Sequence, residues 1–251
     1  MSTPPCEVLA WDSEFFGCRV GRLHGGRLDR ERLAAVEAWC RAEAIDCLYF
    51  LADSGDPATA VLAGEAGFRL VDLRVTLGRS LAGFDPPEAV SSIRPARADD
   101  VPALRRIAAV SHHDSRFYAD PHFDRERCDE LYATWIEKSC REDMVLVAEH
   151  EERPAGYISC LLAGGTGNGG DIGLLAVSDA ARGRGLGRAL VGAALRWFVD
   201  HGAARVRVVT QGRNTRAQRL YQAHGLLTDS IGLWFHRWRN RPGRSWETER
   251  E

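Results

Sequence analysis

No apolar run in the 251-residue chain approaches the roughly 18 residues that mark a membrane-spanning helix, so none is expected. The opening residues, Met1-Ser2-Thr3-Pro4-Pro5, lack the basic-then-apolar layout of a secretory signal, which points to the cytoplasm. Net charge is only −2, too little for a broad attraction to nucleic acid or anionic lipid. Charge-based recognition must therefore be local, and neither nucleic acid nor membrane is expected as a partner. The seven cysteines are odd in number and include no Cys-x-x-Cys pair. That argues against a disulfide scaffold and for free thiols in a reducing compartment. Without close ligand pairs no zinc or other metal site is expected. Cys40, Cys47 and Cys160 sit among apolar residues and read as small core fillers. What the chain does have is 45% hydrophobic residues, ample for one large domain or two modest ones.

The most informative stretch is Ile172-Gly173-Leu174-Leu175-Ala176-Val177 followed by Ser178-Asp179-Ala180-Ala181-Arg182-Gly183-Arg184-Gly185-Leu186-Gly187-Arg188. An apolar strand runs into a glycine-rich turn loaded with arginines, and an apolar-periodic helix begins at once. Glycine lets backbone approach a ligand closely, and the first turn of a helix offers unpaired N–H groups at its positive end. Together they suit a phosphate. A nucleoside-triphosphate loop is excluded because no lysine follows the glycines. A dinucleotide G-x-G-x-x-G also fails, since the sixth position from Gly183 is Arg188 and from Gly185 is Leu190. A bare strand-to-helix turn without ligand would make poor use of three arginines and three glycines in seven residues.

Downstream, residues 205–210 alternate as a strand does. Asn214 then suits the N-cap of a helix carrying Ala217, Leu220, Tyr221 and His224 on one face, and Gly225 ends it. Arg-x-x-Gly-x-Gly (Arg182, Gly185, Gly187) followed by Asn-x-x-Ala-x-x-x-Tyr (Asn214, Ala217, Tyr221) resembles the GNAT family of acetyl-CoA-dependent N-acyltransferases. The resemblance implies an α/β GNAT fold over about 93–239, with a mixed, splayed central sheet flanked by helices. Two neighbouring strands part there, and acyl-CoA enters the gap. Short matches in the same order extend over nearly the whole chain. They are 9–17 (Leu-Ala-Trp-Asp-Ser-Glu-Phe-Phe-Gly), 114–118, 133–136, 172–176 and 209–214. They resemble the TDP-fucosamine acetyltransferases. The glycine loop here is a fuller Arg-x-x-Gly-x-Gly than that group's, which leaves CoA binding secure and substrate identity less so.

Periodicity supplies the remaining organisation. Residues 18–24, 46–51 and 68–77 read as strands, and 29–44 and a segment after Pro57 as helices, the latter stopping at Gly67. These form a smaller N-terminal α/β domain over 1–80, whose helix–strand–helix rhythm faintly echoes the second. Residues 81–92, with Gly83 and paired Pro86-Pro87, read as a linker. A helix opens at Asp99–Pro102, residues 112–123 form a polar aromatic loop, and 124–140 is helical. Strands follow at 144–150, 155–162 and 231–238, and 240–251 is a charged tail.

By the family pattern, Leu175, Ala176 and Val177 pair their backbone with the pantetheine arm and offer an N–H to the oxyanion. Arg182, Gly183, Arg184, Gly185, Leu186, Gly187 and Arg188 hold the CoA diphosphate, Asn214 caps and contacts it, and Tyr221 is the general acid. Asp12 or Glu14 is the candidate base, with Asp171 a third choice, although each reads more readily as a solvated or capping acid. Trp11, His112, Arg116, Tyr118 and Gln211 are the expected acceptor contacts, with His113 and His122 in the same loop. A nucleotide-sugar acceptor needs cationic groups for its diphosphate and a ring for its base, and this loop has both. Trp11 reads as a plug at the domain junction or a base-stacking ring, with the junction favoured. Trp135 and Trp197 read as core. Trp234, Phe235 and Trp238 read as core or as the face of a homodimer. The expected function is direct transfer of acetyl from acetyl-CoA to the amine of a dTDP-linked amino-deoxy sugar in a ternary complex. Two alternatives remain: another amine (protein N-terminus, polyamine or antibiotic), and a silent acyl-CoA-binding module.

Overall fold

The computed structural model describes residues 4–86, 88, 91–162 and 168–239. The expected tail, 240–251, and Pro87 of the linker lie outside the described residues. The chain runs β1 (Cys6–Val8), α1 (Ala10–Phe16), β2 (Val20–Leu23), α2 (Arg30–Ala42), β3 (Cys47–Asp53), α3 (Pro57–Glu65), β4 (Arg69–Ser80) and β5 (Ile93–Pro95). It continues through α4 (Val101–Ala109), α5 (Arg116–Ala119), α6 (Arg125–Glu142), β6 (Met144–His150), β7 (Arg153–Leu162), β8 (Gly169–Val177), α7 (Leu186–Asp200), β9 (Arg205–Gln211), α8 (Thr215–Gln222) and β10 (Leu227–Trp238). It is a mixed α/β fold.

Two compact units result, and neither is contiguous. The first takes Met1–Arg74, Ser115–Asp124 and Ile231–Glu251, the second Val75–Asp114 and Arg125–Ser230. This differs from the split expected at 81–92. β4 carries the chain across at Arg74/Val75, and the last strand joins the first unit from Ile231 on, pairing with β3 from Gly232.

In the first unit β1 is antiparallel to β2, β2 parallel to β3, and β3 antiparallel to β10 from Asp53↔Gly232 to Cys47↔Trp238. Alternation assigns Leu48, Phe50, Ala52 and Phe235 to one face. There they bury with Val36 of α2 and Ala63 of α3. Asp29 caps α2 by accepting from Arg32 N at 2.8 Å, as the sequence signals. The Trp-Asp-Ser-Glu motif lies within α1, whose caps are Leu9 and Gly17. Ser13 explains part of that motif: its Oγ donates to Leu9 O at 2.6 Å and accepts from Val20 N at 2.9 Å, fixing α1 to β2.

In the second unit β5, β6, β7 and β8 form an antiparallel run, and β8 is parallel to β9. The β6–β7 turn places Glu151 and Glu152 at φ 51° and 59°, the left-handed pair that a two-residue hairpin turn requires. Leu190, Val191, Leu195 and Phe198 of α7 bury against Leu146, Ile158, Ile172 and Val206, together with Val75 and Leu77 from the end of β4. All seven cysteines are free thiols. Among the described residues no helix is long and apolar enough to cross a membrane.

Candidate active site

The second unit contains the parted strands. β8 and β9 are paired only from Gly169↔Arg205 to Ile172↔Val208, yet β8 continues to Val177 and β9 to Gln211. The separation begins where β7–β8 register is broken between Ile158 and Cys160. Ser159, fully buried at this irregularity, accepts from Leu174 N at 2.8 Å. A Cβ on Gly173 would stand 2.5 Å from Ser159 Oγ, so glycine is needed for the strands to approach there. A bulge bends its strand, which is the local reason β8 leaves β9. The sequence displays Gly173 but gives no sign of its partner.

β8 ends in the glycine loop. Gly183 and Gly185 adopt left-handed φ of 78° and 79°, and neither would meet a neighbour through a Cβ. They are required for backbone direction rather than for room. Gly187 differs: its φ is ordinary, and a Cβ would make ordinary contact with Leu220 Cδ2 at 3.4 Å, so neither direction nor room requires glycine there. Gly185 is the N-cap of α7 and no side chain caps that end. The N–H groups of the first turn are therefore left for a ligand. Arg182, Arg184 and Arg188 are exposed around this turn. Arg182 rests on Asp179 at 2.5 Å, an exposed ion pair that a diphosphate could exchange. The loop thus fits the diphosphate of a coenzyme thioester. Replacing Gly185 with alanine forces a residue with Cβ into left-handed φ at a cost of about 1–2 kcal/mol, or turns the N–H groups away. We expect acetyl-CoA to bind about 5- to 30-fold more weakly. An affinity within twofold of wild type in a calorimetric titration would remove the loop from coenzyme binding.

Tyr221 lies on α8, whose N-cap Asn214 accepts from Ala217 N at 3.0 Å. Its side chain is buried in the cluster that includes Leu175, Val177, Leu186 and Leu220. Burial pushes its phenol above the ordinary value, so it keeps its proton. Gln211 ends β9, and its carbonyl accepts from Gln218 Nε2 at 2.9 Å. Asp171 pairs with Arg207 at 3.2 Å.

The predicted acceptor loop is divided, because the chain passes from the second unit to the first at Asp114/Ser115. His112 stays in the second unit, its Nε2 2.9 Å from Tyr157 Oη and its ring stacked on Tyr132 at 4.5 Å. Burial, with His113 adding to it, lowers its pKa to about 4. Trp135, expected in the core, is 47% exposed.

Arg116, Tyr118 and His122 belong to the first unit with Asp12, Glu14 and Trp11. Trp11 is 51% exposed and lies flat on Phe15 at 4.9 Å, so it is not a buried plug. Glu14 is exposed and Asp12 half-buried. Burial raises the Asp12 carboxyl above its usual range, partly offset by Arg116. The Arg116 guanidinium carbon lies 4.2 Å from the centroid of Tyr49, 4.2 Å from Phe117 and 4.5 Å from Trp234. Its Nη1 is 2.7 Å from His236 Nε2, and His236 Nδ1 is 2.7 Å from Asp120 Oδ2. Asp120 also accepts from Trp238 Nε1 at 2.8 Å and, through Oδ1, from His122 Nδ1 at 2.9 Å. Phe235 is core, while Trp234 and Trp238 face this polar cluster. Sequence reasoning missed Tyr49, Asp120 and His236. Among the described residues no group of three His, Cys, Asp or Glu is placed to hold a metal ion.

A model of the acetyltransferase (GNAT) family matches residues 107–226. The dTDP-fucosamine acetyltransferase of Escherichia coli O6:H1 is 30% identical over 239 residues, 92% of this chain and 97% of its own length. Mycothiol acetyltransferase of Kineococcus radiotolerans is 31% identical over 210 residues, 81% of this chain and 64% of its own. A GCN5-related N-acetyltransferase from Sphaerobacter thermophilus shares the fold at a TM-score of 0.63 and 17% identity, covering 96% of this chain and 78% of that one. With its parted strands and uncapped glycine turn, the chain belongs to the GNAT family and is an acetyltransferase. Acetyl-CoA is the acyl donor of that family.

Proposed function

We propose that the protein transfers acetyl from acetyl-CoA to the amine of a nucleotide-linked amino-deoxy sugar of the dTDP-4-amino-4,6-dideoxyhexose type. The observation that carries the acceptor is the match to dTDP-fucosamine acetyltransferase over 97% of that relative's length. In this reading the first-turn N–H groups of α7 and the arginines at 182, 184 and 188 hold the diphosphate. The free β8 backbone at Leu175–Val177 pairs with the pantetheine arm and donates to the carbonyl oxygen. The attacking amine, partly neutral at about pH 7 to 8, gives up its proton to water as it attacks. As the nitrogen–carbon bond forms and the carbon–sulfur bond breaks, Tyr221 gives its proton to the sulfur. Transfer is direct, with both substrates bound.

The 31% identity to mycothiol acetyltransferase favours a second reading, in which a different amine is acetylated. A thiol-release assay across dTDP-amino sugars, peptides, polyamines and aminoglycosides separates the two. We expect turnover on a dTDP-amino sugar at least tenfold above every other amine. Faster turnover on another class would overturn the sugar reading. Tight acetyl-CoA binding without any turnover would leave only a binding module.

A further inference from the structure

We propose that the buried Asp120–His236 pair holds Arg116 with its charge unspent, as the receptor for phosphoryl oxygens of the acceptor. This rests on the nucleotide-sugar reading and deepens it by naming what recognises the phosphates and what positions that group.

The argument begins with hydrogen-bond roles. Arginine has only donors. The 2.7 Å contact from Arg116 Nη1 to His236 Nε2 therefore requires a lone pair on that nitrogen. The proton of a neutral imidazole must then sit on Nδ1, where it donates to Asp120 Oδ2 at 2.7 Å. Asp120 is held in turn by Trp238 and His122. The side chains of His236 and Asp120 are both fully buried, so ring plane and tautomer are fixed before any ligand arrives.

This arrangement differs from an ordinary buried arginine. Its orienting partner is a neutral ring, not a carboxylate. No carboxylate lies within ion-pair distance of Arg116 among the described residues; Asp12 feels its field only at longer range. One N–H is used and the full positive charge remains. The faces of Tyr49, Phe117 and Trp234 fix the guanidinium plane and exclude water from it. The side chain is still only half-buried, so its other donors can be reached. Among the described residues Tyr49 Oη, on a ring beneath the guanidinium, is buried without a hydrogen-bond partner. An unpaired buried hydroxyl is costly and marks polar capacity that the protein itself does not use. A planar, rigid and uncompensated guanidinium matches phosphate geometry. Asp120 and His236 are positioning residues in this scheme.

The test uses full-length protein saturated with CoA, so that the 182–188 loop is occupied, and titrates it with dTDP and with thymidine. Wild type should prefer dTDP. Arg116→Lys, which leaves the buried pair intact, and His236→Leu, which removes the lone pair, should each weaken dTDP about 10- to 100-fold while thymidine changes less than threefold. His236→Gln, whose side-chain oxygen can accept from Arg116, should recover most of that loss. Thymidine affinity within threefold of wild type and an unaltered near-ultraviolet circular dichroism spectrum show that the variants are folded. Undiminished dTDP binding in Arg116→Lys, or equal loss for dTDP and thymidine, would overturn the proposal. If dTDP binding depends on Arg116 but no dTDP-amino sugar is acetylated, the receptor stands and the sugar reading falls. If the sugar is acetylated but dTDP binding ignores Arg116, the reverse holds.

Discussion

Tyr221→Phe will lower kcat by about 10²- to 10⁴-fold, the range a positioned general acid supplies, with the KM for acetyl-CoA within about twofold of wild type. The expectation comes from the environment of the phenol. Burial holds its proton through neutral pH, so in the proposed reaction it is available to the departing sulfur as a donor and not as a second anion. Phenylalanine preserves the ring that buries with Leu175, Val177 and Leu220, so folding and coenzyme affinity should survive the change. Only the proton is lost. Steady-state rates on the best acceptor amine, with acetyl-CoA varied, separate the two parameters. A variant retaining more than a third of wild-type kcat would take Tyr221 out of the proposed chemistry and leave it as packing.

Acid should destabilise the fold well before its carboxylates titrate. His236 is fully buried, and burial lowers its pKa to about 4 although Asp120 pulls the other way. Unfolded, it titrates near ~6.5. Between those values the unfolded chain binds a proton that the folded chain refuses, so stability falls as pH drops from about 6.5 to 4. From pH 7 to pH 5 the loss from this one ring is on the order of 2 kcal/mol. His112 adds a smaller amount of the same sign, since it is only half-buried. Asp120 titrates below its ordinary carboxyl value: burial raises it, but the bonds from His236, Trp238 and His122 outweigh that. Its contribution is present above about 3.9 and is lost only at still lower pH. The raised Asp12 carboxyl acts in the opposite sense, because protonation relieves its burial. Urea unfolding at pH 7 and pH 5 should therefore show a smaller pH dependence in His236→Gln than in wild type. Equal dependence in the two proteins would mean that His236 is not held neutral.

Elements with strong periodicity or a cap were legible in the sequence. β6 matches its expected span of 144–150, and α2 starts at its Asp29 cap. Helix α8 follows Asn214, and Gly225 sits at a left-handed φ of 74° where a helix end requires it. The strand–glycine turn–helix at 172–190 and the burial of Tyr221 on one face of its helix were legible because each pattern is local. What could not be read depends on pairing at long range. Asp120 and His236 are 116 positions apart, and nothing near either one names the other. Arg116, Tyr118 and His122 stood out as polar residues, but His112 was grouped with them only because it is close in sequence. The structure assigns it to a different unit and a bond with Tyr157. β10 carried no signal of its partner either. Alternating apolar residues fix the faces of a strand but not the neighbour it pairs with.

That placement of β10 has a consequence for synthesis. As the nascent chain leaves the ribosome, β3 is made early, but the edge that residues 232–238 will occupy stays open until those residues have themselves emerged. Residues 115–124, which supply Arg116 and Asp120, also arrive well before His236. The unit that starts first is completed only after the second has been made, with an unpaired strand edge exposed to other chains in the meantime.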